Sequence, residues 1–292
     1  RPERSNLSTT FVETKQLGSK SDRAMDLEDL SPIYLKYLLG GGYAALLGVN
    51  YASLSGKMGA PNAQISKAYS SPVTPAGFAF SIWGPIFLLQ GAGVFALLSD
   101  ALPLESLRAV FPYWFGTWFW QNCWQITFVS LPLTDFENKK EKIFRLLLGC
   151  ALQLLAAQSS MTVTGQQLRA LEESSLLRTA LLDFPSGLNA GWLGAASGIG
   201  VSLALQHWPR GNWITPNRGA ILLSTICGYG ATVVLTLGQG NSYGFGLGYS
   251  LATSWACFGL TKATTAPEVV RKVARGGMGA FAGMGLSCLV NC

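Results

Sequence analysis

Charge is what this chain has least of. Only 12% of its 292 residues are Asp, Glu, Lys or Arg, about half of the roughly 25% found in an ordinary soluble domain. A soluble protein of this length needs a charged shell around its core, and these residues are too few to make one. The surface must therefore face lipid. Histidine is nearly absent as well: His207, beside Trp208 and Pro209, is the only one. The six cysteines, Cys123, Cys150, Cys227, Cys257, Cys288 and Cys292, make no CxxC pair, so zinc or redox spacing is missing and no metal ligand is assigned. Most lie in apolar runs, where cysteine serves as a small buried hydrophobe, with a disulfide or reactive thiol as the alternative. The net charge of +6 is not gathered on a basic face with interleaved aromatics, which excludes nucleic acid as a partner. The apolar runs hold no acid–base pair, metal cluster or phosphate loop, so no catalytic residue is expected and the chain reads as a non-enzyme. Without a carboxylate in those runs, an ion-coupled transporter would lack its relay.

Long apolar runs are what is present. Eight segments approach the roughly 20 residues needed to cross a bilayer: 33 to 54, 76 to 98, 113 to 131, 143 to 163, 187 to 206, 219 to 238, 243 to 260 and 276 to 290, the last two being short. Their only basic residues are Lys36 and Arg145, each near an end where a long side chain can reach the headgroups. Continuous runs of this kind favour helices over the alternating strands of a barrel. The expected fold class is all-α and integral to the membrane. Small-xxx-small spacings, such as Gly191, Gly194 and Gly198 in the fifth run, point to tight packing of these helices.

The loops after the first, third, fifth and seventh runs carry twelve basic residues, from Lys57 to Arg275; the short loops opposite carry Arg108, Arg169 and Arg178. Positive-inside orientation puts the first set on the cytosolic, stromal or matrix side. The chain starts at Arg1 with a polar, Ser- and Thr-rich head through residue 32, which reads either as the mature end left by a cleaved organellar leader or as a sequence boundary.

Three segments combine rings with polar groups at membrane depth. Thr74 to Phe87 opens the second run: Pro75 suits a first helical turn, Phe80, Trp83 and Phe87 share one face, and Pro85 is expected to kink the helix. In the third run Trp114, Trp118, Gln121 and Gln125 form one stripe and Trp120 and Trp124 another. In the fifth, Pro185 is expected to begin a helix carrying Asn189 and Trp192. A buried amide in lipid must find a neighbouring helix or a ligand.

With these residues in view, the chain resembles the translocator protein / tryptophan-rich sensory protein family (TspO/MBR-related), in particular its longer divergent branch. Thr74-Pro75-Ala76-Gly77-Phe78-Ala79-Phe80-Ser81-Ile82-Trp83-Gly84, Gln121-Asn122-Cys123-Trp124 and Pro185 to Trp192 look like the family's second, third and fifth helices, and Asn50 to Ser66 like its first loop. The likeness covers about 45 to 206. It implies a five-helix core at 33 to 206, followed here by about three further transmembrane helices at 207 to 292. The family's pocket, closed by the first loop, holds hydrophobic ligands such as porphyrins and sterols. By position this nominates Trp83, Phe87, Trp124 and Trp192, to which the reading of the residues themselves adds Pro75, Phe80, Trp118, Gln121 and Asn189. Three positions depart from the family pattern: Ala79 replaces an aromatic, Gln121 an Asn, and Gly200 an Asn late in the fifth helix.

Two functions follow as expectations. One is binding of a hydrophobic ligand in a Trp-lined pocket, the candidates being a tetrapyrrole (porphyrin or chlorophyll), a carotenoid, a sterol or another lipid. The other is a structural or accessory subunit of a large photosynthetic or respiratory membrane complex. A eukaryotic organelle is expected, with the plastid or thylakoid preferred to the mitochondrial inner membrane on the tetrapyrrole link.

Overall fold

The computed structural model describes residues 30–172 and 174–290; the head therefore lies almost wholly outside the described residues. Eight long helices follow one another: α1 (Pro32–Leu54), α2 (Gly77–Leu98), α3 (Leu104–Val129), α4 (Lys140–Ala170), α5 (Leu176–Gln206), α6 (Pro216–Leu237), α7 (Tyr243–Lys262) and α8 (Glu268–Val290). A short helix, Asn62–Ala68, lies in the loop between α1 and α2. Five of these helices, α2, α4, α5, α6 and α8, are long and apolar enough to cross a membrane. Helices α1, α3 and α7, at 23, 26 and 20 residues, have the length. Their hydropathy is diluted by Gly, Tyr, Trp and amide side chains, in α3 by the same residues that carry the functional signal.

The packing closes two rings that share α5. The first runs α1–α2–α5–α4–α3 and the second α5–α7–α8–α6. Helix α5 can sit in both because its exposed-backbone faces are nearly all Gly, Ala and Ser: 78% of its apolar window is buried, against 28% for α6 and 22% for α8. At Gly187 the absent side chain leaves room for the Phe245 carbonyl of α7, and at Gly191 a Cβ would lie 2.5 Å from the Tyr249 carbonyl oxygen. Close approach of this kind is how helices associate where lipid removes the hydrophobic drive between them.

Loop contacts show that the helices alternate in direction. The Tyr69 phenol donates to the Pro132 carbonyl at 2.6 Å, its ring meets Phe136 and His207, and Gln206 donates to the Ser70 carbonyl. The first, third and fifth loops thus meet at one end of the bundle. At the other end Lys36 pairs with Asp100, and Asn241 reaches the Leu171 and Glu172 carbonyls.

Two local expectations are corrected. Helix α2 begins as a 3-10 turn, Gly77–Ile82, and turns α-helical at Trp83. Pro75 therefore precedes the helix, and Pro85 falls where the 3-10 turn passes into the α-helix. The fifth helix starts at Leu176, eleven residues before the apolar run suggested, so that Arg178 and Asp183 enter the bundle. Pro185 lacks the N–H that would bond the Leu181 carbonyl, and the chain answers with a π turn over Thr179–Asp183, whose capping N–H at Phe184 reaches back to the Thr179 carbonyl. An acidic residue is thus buried in the bundle after all: Asp183, 0% exposed, accepts from Arg178 Nε at 3.3 Å, and Arg178 also donates to the Asn241 carbonyl.

Candidate functional site

Helix α3 faces the interior of the first ring with one stripe, and each member of that stripe finds a polar partner on α2, on α5, or at the end of α1 and the loop after it. Trp114 Nε1 donates to Ser186 Oγ of α5 at 2.9 Å, and Trp118 Nε1 to Gln90 Oε1 of α2 at 3.3 Å. Gln121 Nε2 donates to Asn189 Oδ1 of α5 at 3.4 Å. Gln125 exchanges hydrogen bonds with the Asn62 amide, at 2.7 and 3.1 Å, and donates to Ser53 Oγ at 2.6 Å. The helical spacing of the stripe sends these four side chains down one face, and the amides select their partners because nothing else in lipid can satisfy them.

The Asn62–Gln125–Ser53 clasp fastens the first loop over the end of α3. Beneath it Ile65 and Tyr69, both buried, pack with Phe128, Val129 and Trp124. Burial pushes the Tyr69 phenol up to about 12, so it remains a donor to Pro132 at any physiological pH. Replacing Gln125 by Leu unties the loop from α3 and leaves Asn62 Nδ2 without its acceptor, while Ser53 Oγ still donates to Asn62 Oδ1; the loss is about 1–3 kcal/mol in local fastening. Trypsin cleavage after Lys57 and Lys67, both in this loop, is then expected to quicken by about tenfold; cleavage at the wild-type rate would mean that the loop is held elsewhere.

Just under this loop lies a column of rings. Phe87, Trp83, Trp124 and Phe128 stack in turn, with centroids 5.4, 6.5 and 5.3 Å apart and interplanar angles of 24°, 28° and 22°. Trp192 meets Trp83 edge-on at 6.1 Å and Phe80 edge-on at 5.7 Å. Trp192 is fully buried, whereas Phe80, Trp83, Phe87 and Trp124 are only half-buried, so the column keeps an open flank. Helix α2 comes close to α5 at Gly93, where the Leu181 carbonyl occupies the place of a side chain, and the rings fill the seam toward its other end.

Beside the column are polar atoms with no partner in the protein: Trp192 Nε1, Asn189 Nδ2, Gln121 Oε1 and Gln90 Nε2 are all buried and unbonded. Each such atom costs about 1–3 kcal/mol in an apolar interior. Two of the four sit three residues apart on α5 and a third is hydrogen-bonded to one of them, which makes this a local cluster of donors and an acceptor.

A family model described as TSPO-like protein matches residues 36–287. The chain belongs to the TSPO-like protein family. No curated protein and no solved structure matches it. In this TSPO-like protein, eight of the nine expected site residues, Phe80, Trp83, Phe87, Trp118, Gln121, Trp124, Asn189 and Trp192, line the first ring, Trp118 one level below the column against Tyr43 and Trp114. Pro75 does not join them. It faces α7, its Cβ 3.0 Å from where a side chain on Gly259 would begin. Sequence reading missed Gln90, Phe128 and Tyr43, whose phenol donates to the Phe87 carbonyl at 2.6 Å. Gln90 had a signal, as an amide inside an apolar run; Phe128 and Tyr43 had none beyond being aromatic.

Two departures from the family pattern acquire a cause. Ala79 lies under Gly259, where a Cβ would be only 2.7 Å from its own, and Trp255 of α7 donates to the Ala79 carbonyl at 2.9 Å. An aromatic at 79 would drive α7 off the bundle. Gly200 faces Ala151 of α4, whose Cα would be 3.1 Å from a Cβ there, so an Asn has no space. In both places helix packing occupies what the family pattern gives to a side chain.

Proposed function

We propose that this TSPO-like protein is a non-catalytic membrane protein that binds a hydrophobic ligand along the open flank of the Trp83–Trp124 column, under the first loop. The observation that carries this reading is the cluster of unbonded polar atoms at Gln90, Gln121, Asn189 and Trp192 beside half-buried rings. A flat apolar body gains from stacking on the rings, and a carbonyl or carboxylate on it would accept from Asn189 Nδ2 and Trp192 Nε1. A porphyrin, a chlorophyll, a carotenoid or a sterol meets the apolar part of that description; the first two and an oxygenated sterol or lipid meet the polar part. Haem held by an axial ligand fits poorly, since the column's members bring rings and amides only, and His207 is engaged at the loop end with Tyr69 and the Leu203 carbonyl. The basic loops are taken to face the stroma, matrix or cytosol, and a plastid membrane is the favoured location.

A second reading, an accessory subunit of a larger complex, has its own support. Gly276, Gly279 and Gly283 on α8 face open space, as do the exposed Phe119 and Trp120 of α3. Native electrophoresis after mild detergent extraction, with pigment and lipid content read in the same band, separates the two. Migration of the chain by itself with a tetrapyrrole, carotenoid or sterol that is lost on Trp83→Ala or Trp124→Ala is the outcome expected here. Migration with a large assembly, unchanged by either substitution, would replace the ligand-binding reading with the second.

A further inference from the structure

Outside the ring column, the pair Cys227 and Cys257 has no role in the binding reading. Cys227 on α6 is half-buried and Cys257 on α7 is buried. Both sulfurs converge on Gly277 of α8, where a Cβ would lie 3.1 Å from each. Three helices thus bring two sulfurs to one point, and the third contributes a glycine that leaves them room. A cavity of about 20 Å³ adjoins the pair, lined also by Val73, Pro75, Ile226 and Thr253, and gives the sulfurs space to rearrange. That volume is near the size of one water but the walls are apolar, so it is suited to movement of side chains more than to a solvent molecule.

We infer that Cys227 and Cys257 are a redox-active dithiol which closes to a disulfide between α6 and α7 when a membrane hydroperoxide reaches it. Two sulfurs that each lie 3.1 Å from one point are no more than twice that distance apart, so rotation about the two Cα–Cβ bonds is the movement that brings them to the S–S distance of about 2.05 Å. An apolar setting disfavours holding a metal between two thiolates, because the resulting anion would be buried without a counter-charge, whereas a disulfide is neutral. Cys227 is the more open of the two, so its sulfur attacks the distal oxygen of the peroxide. The O–O bond breaks, the thiol proton leaves with the alkoxide as an alcohol, and Cys227 becomes a sulfenic acid. The Cys257 sulfur then displaces the hydroxyl, which departs as water with the Cys257 proton, and the S–S bond forms. Two thiols and one hydroperoxide give one disulfide, one alcohol and one water. While the attacking sulfur gathers negative charge, the neighbouring S–H can donate to it.

The test treats the full chain in detergent with cumene hydroperoxide, then denatures it and alkylates the remaining thiols. Of six cysteines, four are expected to remain alkylatable, with the Cys227 and Cys257 peptides joined and the bond reversed by dithiothreitol. In Cys257→Ala, Cys227 is expected to stop at the sulfenic acid and to be trapped by dimedone, while Cys123→Ala, remote from the pair, is expected to behave as wild type. Six alkylatable thiols after treatment, a disulfide joining other cysteines, or a Cys257→Ala chain without a dimedone adduct at Cys227 would each overturn the inference.

Discussion

Replacing Arg178 by Met is expected to lower the thermal unfolding midpoint in detergent by about 10 °C, the equivalent of about 3–5 kcal/mol for a chain of this size. The substitution leaves Asp183 fully buried beside an apolar side chain, with its Oδ1 already lacking a partner. It also removes the donor to the Asn241 carbonyl, which ties the π turn to the loop before α7. The double substitution Arg178→Met with Asp183→Leu removes both charges and is expected to recover most of the loss, since a buried pair replaced by apolar groups of similar volume is often neutral or stabilising. A single variant as stable as wild type would contradict the burial of this pair. A double variant no better than the single would mean that the surrounding contacts, not the charges, hold the turn.

The second large effect lies at Gly187. Even Ala there places a Cβ against the Phe245 carbonyl oxygen, a backbone atom that cannot turn aside, so α7 must retreat from α5. Overpacking of this kind costs about 1–3 kcal/mol in a soluble core and more where only backbone can move. Gly187→Ala is expected to give little monodisperse protein on size-exclusion chromatography. The control is Gly279→Ala, which points into open space and is expected to stay within about 0.5 kcal/mol of wild type. Equal behaviour of the two would show that α5 and α7 are not in backbone contact. The pair also bears on architecture, because α7 and α8 then belong to the folding unit of α5.

The sequence disclosed the α3 stripe because a period of 3.6 applies wherever the chain is helical, and Trp114, Trp118, Gln121 and Gln125 keep to it. It disclosed Trp83, Trp124 and Trp192 as neighbours through the family resemblance, and their stacking needed coordinates. It did not disclose the start of α5. An apolar window rejects Arg178 and Asp183 one at a time and cannot see that each cancels the other's charge. The π turn was equally hidden, since Pro185 reads as a helix opener and only the observed i→i+5 bond from Phe184 shows it inside a longer helix. Pro75 was misplaced for a related reason: the 3-10 start at Gly77 shifts the helix two residues past the position where a proline is most at home. The losses at Ala79 and Gly200 were visible as departures, but their causes sit on α7 and α4, far away in sequence.

The central claim is that unbonded amides beside the ring column serve a ligand. Gln121→Leu with Asn189→Leu removes Gln121 Oε1 and Asn189 Nδ2 together with the 3.4 Å bond between these side chains. Exchanging a half-satisfied polar pair for apolar groups of similar shape is nearly neutral or stabilising for the ligand-free protein. The decisive measurement is the affinity of this double variant and of wild type for protoporphyrin IX, followed by quenching of tryptophan fluorescence, with thermal stability recorded alongside. Wild-type binding, weakened by about tenfold or more in a variant that is at least as stable as wild type, is the result this account predicts. Equal affinity in the two proteins, or a variant that unfolds at lower temperature, would contradict it and make the amides part of the packing alone.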